Sequence, residues 1–130
     1  MNKLTIIKPD DWHLHLRDSH FMEAVVANSA RQFGRAIIMP NLVPPVRSCA
    51  DALAYRQRIC SALPNDSPFN PLMTLYLTDN TSVDEIRAAS ESEFIHGAKL
   101  YPAGATTNTD AGLTHPKKHG PVFNTTQQYW

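Results

Sequence analysis

Short apolar runs alternate along this chain with stretches whose apolar residues recur every three to four positions. The first pattern suits strands buried in a sheet, the second suits helices with one buried stripe. The runs predict strands over 13–16, 35–39, 72–78 and 97–101, with a further short strand over 4–7 ahead of them. A helix over 20–33 buries Phe21, Met22, Val25, Val26 and Phe33, is capped by Asp18 or Ser19 and ends at Gly34. Ser48-x-x-Asp51 opens a second helix that stops at Pro64, and Ser82-x-x-Glu85 opens a third that ends near Phe94. Between the second strand and the second helix, residues 41–47 form a loop stiffened by Pro44-Pro45. Residues 115–130 scatter polar, Gly and Pro residues without a helical period. Pro116, Gly120 and Pro121 predict an irregular tail there.

Four rounds of strand and helix are the mark of a parallel sheet with crossover helices. Two architectures share it: a small open α/β sheet, and the first half of a (β/α)8 TIM-type barrel, whose full form typically takes about 250 residues. In a barrel, chemistry gathers at the carboxyl ends of the strands. His13 and His15, Asn41 and Lys99 all fall at or just beyond such ends.

Composition narrows the function classes. A chain of 130 residues forms one domain at most. Lys+Arg and Asp+Glu both number 12, so no net charge draws the chain to nucleic acid or an anionic membrane. No apolar run approaches the roughly 18 residues that span a bilayer. Leu4-Thr5-Ile6-Ile7, followed closely by Pro9, is too short for a signal-peptide core, so a cytoplasmic location is expected. Cys49 and Cys60 lie eleven apart on one predicted helix, roughly 16 Å along its axis, too far for a disulfide.

The run Asp11-Trp12-His13-Leu14-His15-Leu16-Arg17-Asp18 carries the strongest chemical signal. Positions two apart on a strand share a face, so the two imidazoles project together as a pair of metal ligands or as a simple surface pair. Arg17, one further step along, suits a carboxylate or pairs with Asp18. By residue type alone Asn41 reads as a turn residue, Lys99 as a surface or snorkelling side chain, and Thr106 and Thr107 as loop residues beside Gly104. His20, His96, His115 and His119 have no supporting context and are left outside the candidate site.

Four segments in order resemble the single-function bacterial (class II) dihydroorotases. They are 8–18 (KPDDWHLHLRD), 34–45 (GRAIIMPNLVPP), 71–79 (PLMTLYLTD) and 98–108 (AKLYPAGATTN). The resemblance runs from about residue 4 to residue 114 and favours the half-barrel. It leaves 1–114 as the barrel segment and 115–130 as a non-matching tail. It implies that His13, His15 and Lys99 hold metal, with Lys99 carboxylated by CO2 to a carbamate that bridges two Zn2+ ions. It implies that Arg17 and Asn41 hold the substrate carboxylate, and that Thr106 and Thr107 lie on a loop that closes over it. The implied reaction is reversible hydrolysis of the cyclic amide of dihydroorotate to carbamoyl aspartate, a step of pyrimidine synthesis. Two further metal-binding histidines and the aspartate that serves as general acid/base lie on later strands of such a barrel, so no catalytic acid/base is assigned here. The isolated 130-residue chain is expected to be inactive and to bind zinc only partially. Alternatives are another cyclic amidohydrolase, such as a hydantoinase or allantoinase, and a non-catalytic half-barrel remnant or binding module. A homodimer that closes the sheet remains open.

Overall fold

The fold is a four-stranded, all-parallel sheet whose spatial order is the chain order, β1-β2-β3-β4. In this computed structural model residues 2–105 and 109–130 are described. The strands are β1 (Asp11–Leu14), β2 (Arg35–Ile38), β3 (Asn70–Tyr76) and β4 (Ile95–Lys99); the helices between them are α1 (Ser19–Gln32), α2 (Cys49–Ala62) and α3 (Val83–Ser90). Simple sequential order with a helix in every crossover is what a barrel needs and what a doubly wound sheet, which reverses direction, does not have.

Each helix starts where its side chains satisfy the orphan amides of the first turn. Asp18 accepts from the Ser19 amide, and Ser82 from the Glu85 amide. At α2 the box is reciprocal: Ser48 accepts from the Asp51 amide, and the Asp51 carboxylate accepts from the Ser48 amide. Glu85 has a second use, accepting from the Cys49 amide at 2.6 Å and tying the start of α2 to α3. That carboxylate and the burial around it push the Cys49 thiol up to about 11, burial contributing most. Both cysteines are free.

The main core lies between the sheet and helices α1 and α2. It joins Leu16, Val26, Ile38, Tyr55, Ile59, Met73 and Leu75. β3 is buried from Pro71 through to Thr78, as a central strand covered on both faces must be. Only one column of α1 reaches this core, Met22, Val26 and Ala30 at a spacing of four. Phe21 and Val25, expected in the stripe, are 63% and 42% exposed. Residues 4–7 form no strand, and Leu4, Ile6 and Ile7 are exposed.

Residues 115–130 are not the irregular tail that their composition suggests. Pro116–His119 is a 3-10 turn and Gly120–Tyr129 is a helix, α4. The prolines sit in the first turns of these elements, where a missing amide costs nothing because that amide has no helical partner anyway. Val122 and Phe123 pack with Leu77, Ile86 and Leu113 as a second, smaller core against α3.

Candidate active site at the strand ends

Register decides which side chains share the inner face of the sheet. Tyr76 pairs with Lys99 and Ile37 with Leu72, so Lys99, Tyr76 and Ile37 lie on one face and Ala98, Leu75 and Ile38 on the other. Met39, the next residue after β2, accepts from the Lys99 Nζ and so lies on the face of Lys99 and Ile37, and Asn41 follows in the turn just beyond. On β1 the Leu14–Ile38 pairing puts His13 there, and His15 stays beside it with its Nε2 3.2 Å from that of His13. The chain thus brings its candidate residues from three strands to one rim.

The His13 and His15 Nε2 atoms are 3.2 Å apart, with ring centroids at 5.1 Å. Two imidazole nitrogens on one tetrahedral zinc, each bound at 2.0–2.1 Å, stand about 3.3 Å apart. The pair therefore has the bite of a bis-imidazole ligand. The side chain of Asp11 accepts from the His13 amide and steadies the strand at this point. Burial lowers the His15 pKa from its ordinary value, and the charges of Lys99, His13 and Arg17 lower it further. The neutral imidazole, the form that binds metal, is favoured.

Lys99 approaches from β4. Its Nζ donates to the Met39 thioether at 3.2 Å and lies over the Tyr101 ring at 4.7 Å from the centroid. A thioether is a weak acceptor, and no carboxylate pairs with this ammonium among the described residues. Burial lowers its pKa. Burial and weak partners both disfavour the charged form of this amine relative to an exposed lysine. Among the described residues no three His, Cys, Asp or Glu side chains converge.

Arg17 follows His15 with φ 64°, in the left-handed region that costs a non-glycine residue on the order of 1–3 kcal/mol. Its guanidinium has no hydrogen bond or ion pair among the described residues. Asp18, the partner considered from sequence, is held by Arg58 at 2.8 Å. Asn41 is 6% exposed and sits immediately after the buried Met39-Pro40 at the end of β2, deeper than a surface turn residue. Thr106 and Thr107 lie outside the described residues. The stem of their loop is closed on itself: the Leu113 amide donates to Tyr101 O at 3.0 Å, and the Ala103 amide to Leu113 O at 3.1 Å.

Sequence reasoning missed two features here. Met39 has no polar signature, yet its sulfur receives the lysine. His119, set aside with the other lone histidines, contacts Asp79 at 3.2 Å, and Asp79 also accepts from the Thr114 hydroxyl at 2.6 Å. This cluster links the segment leading into α4 to the β3–α3 turn.

Comparison with known proteins gives one consistent answer. No family model matches the chain. Among curated proteins it is 66% identical over 114 residues to a dihydroorotase of Ralstonia nicotianae, covering 88% of this chain and 33% of that protein. It is 59% identical over 128 residues to one of Acaryochloris marina, covering 98% and 37%. The latter alignment includes residues beyond 114, so the likeness extends into the tail. Among solved structures, the dihydroorotase of Campylobacter jejuni superposes with a TM-score of 0.84 at 40% identity, over 94% of this chain and 36% of that one. The dihydroorotase of Saccharomyces cerevisiae in complex with 5-fluoroorotic acid gives 0.83 at 30% identity, over 93% and 33%. The chain spans about a third of the length of the proteins it matches.

Proposed function

We propose, from this likeness to dihydroorotases in both sequence and fold, that the chain forms the first part of a dihydroorotase barrel and supplies part of its metal site and its substrate-carboxylate site. The observation that supports the reading most is the approach of the His13 and His15 Nε2 atoms to 3.2 Å, with the charge of Lys99 near enough to lower the His15 pKa. Pairing of two imidazoles with a weakly partnered lysine fits zinc only if the lysine becomes an anion. Carboxylation by CO2 does this: the neutral Nζ forms a C–N bond, one proton leaves, and the product carries a negative charge where an ammonium would repel the metal. Zinc, when bound, would polarise a carbonyl and lower the pKa of a water molecule.

The chain's own groups have separate tasks in this scheme. His13 and His15 present neutral nitrogens at ligand spacing. Lys99 supplies the carbamate. Arg17 offers a planar cation fork to a carboxylate, and Asn41 adds a neutral donor without adding charge. Thr106 and Thr107 would contribute hydroxyls from the loop. A ring that bears a carboxylate, as 5-fluoroorotic acid does in the yeast relative, is the ligand class this set suits. The reaction assigned to the whole enzyme is hydrolysis of the cyclic amide of dihydroorotate to carbamoyl aspartate, reversibly. The hydantoin-type alternatives offer Arg17 no such carboxylate.

The test joins this chain to the remaining two thirds of the Ralstonia nicotianae relative and measures dihydroorotate turnover. Lys99→Ala should abolish both bound zinc and turnover, with partial recovery on adding a short-chain carboxylic acid. Full activity of Lys99→Ala without any added acid would refute the carbamate role.

A further inference from the structure

The backbone that carries Arg17 is bent unusually hard and is held from outside. Arg17 has φ 64° and Ser19 φ 52°, so two non-glycine residues within three positions occupy the left-handed region. Such conformations persist only where the surroundings over-determine them. Here the surroundings come from one face of α2. The hydroxyl of Tyr55, a fully buried side chain, donates to the Arg17 carbonyl. One turn further along, Arg58 forks onto the Asp18 carboxylate, Nε to Oδ1 at 3.0 Å and Nη2 to Oδ2 at 2.8 Å. Asp18 Oδ1 also accepts from the Ser19 amide at 2.8 Å, and the Arg58 guanidinium lies 5.3 Å from the centre of the Tyr55 ring.

We infer that Tyr55 and Arg58 are positioning residues for Arg17. They touch no candidate ligand site themselves. They hold the carbonyl of residue 17 and the side chain of residue 18, so the turn cannot relax, while the Arg17 guanidinium keeps its donors free. A receptor for a carboxylate gains affinity from such pre-organisation, because the cost of ordering the arginine is met on folding rather than on binding. The Tyr55 hydroxyl has no other partner among the described residues. A phenylalanine would fill the same apolar space, so the hydroxyl serves the turn and not the core. This inference rests on the reading of Arg17 as the carboxylate-binding group.

The experiment uses the full-length enzyme described above and reads KM and kcat for dihydroorotate separately. Tyr55→Phe and Arg58→Gln should each raise KM about fivefold, the effect of about one hydrogen bond, with kcat nearly unchanged. A purely structural role would reduce the folded fraction, lowering apparent kcat and leaving KM where it was; that result overturns the inference. Arg17→Ala separates the two levels. If it raises KM strongly while both positioning variants match the parent, the inference falls and the reading of Arg17 stands. If Arg17→Ala leaves KM unchanged, the reading of Arg17 falls and takes the inference with it. In the 130-residue chain itself, the Arg17 Cα and amide chemical shifts report its φ. They should move towards values for negative φ in both variants, and unchanged shifts would also overturn the inference.

Discussion

At the residue scale, protonation and donor geometry decide what each side chain can do. The His13 and His15 Nε2 atoms sit 3.2 Å apart, the spacing that two ligands on one ion would have, and the proposed metal role rests on that pair. Zinc binding by the 130-residue chain should therefore be weak but specific to this pair. His13→Ala should lower the affinity at least about tenfold in a calorimetric titration, a fall at least as large as that on losing a supporting contact to a metal ligand. Asp79 makes a different prediction. The Thr114 hydroxyl and amide, then the contact with His119, hold its carboxyl below the ordinary range. A folded-state pKa below the unfolded value of about 3.9 means that the ionised form stabilises the fold. This contribution is complete above the unfolded pKa and disappears as the pH falls through the folded value. Urea midpoints measured from pH 6 down to pH 2 should drop on the acid side, and Asp79→Asn should flatten that drop.

At the element scale, Leu113 and the tail helix pack with α3, and Leu113 is tied by backbone hydrogen bonds to Tyr101 and Ala103. Gly112 is at the narrowest point of that connection: a Cβ there would meet the Tyr101 carbonyl oxygen at 2.4 Å and the Ala103 amide nitrogen at 3.1 Å. Both obstacles are backbone atoms, which cannot step aside as a side-chain tip would. Gly112→Ala should cost about 1–3 kcal/mol, as overpacking typically does, and should raise amide exchange across residues 101–114 more than in β2 or β3. Ile86, fully buried in the small core under α4, gives the complementary case. Ile86→Ala should cost about 2–5 kcal/mol and release α4 before the sheet opens, seen as early loss of protection in residues 120–129.

At the scale of the whole molecule, β1 and β4 each have a strand neighbour on one side only among the described residues. Open edges invite pairing with other chains. Trp12 and Leu100, near those edges, are 61% and 48% exposed. The 130-residue polypeptide should self-associate in a concentration-dependent way in sedimentation velocity. It should show no dihydroorotase turnover by itself, because the roles proposed for its residues are binding and orientation, and protonation of a leaving nitrogen is not among them. Such general acid/base help is typically worth about 10²–10⁴-fold. Chelator-sensitive turnover that His13→Ala abolishes would instead mean that two copies assemble a complete site.

The sequence by itself determined the parallel α/β character of the sheet and its three crossover helices, because strand runs, capping residues and turn signals act over a few positions. Ser48, Asp51 and Ser82 cap in place, and the ends of β1, β2 and β4 carry the residues that their period predicted. It also determined the pairing of His13 with His15, a consequence of the two-residue repeat of a strand. The fate of Pro116, Gly120 and Pro121 was decided elsewhere. The same residues break a helix in its interior and begin one at its start, and only the packing of Val122 on Ile86 and Leu113 tells which applies. Phe21 and Val25 show the same limit: the spacing marks an apolar face, but the sheet that meets it covers one column and not two. The meeting of Lys99 with Met39 across 60 positions, and of Tyr55 with Arg17 across 38, belongs wholly to the tertiary structure. No local spacing encodes which strand ends become neighbours; the pairing and register of the sheet do.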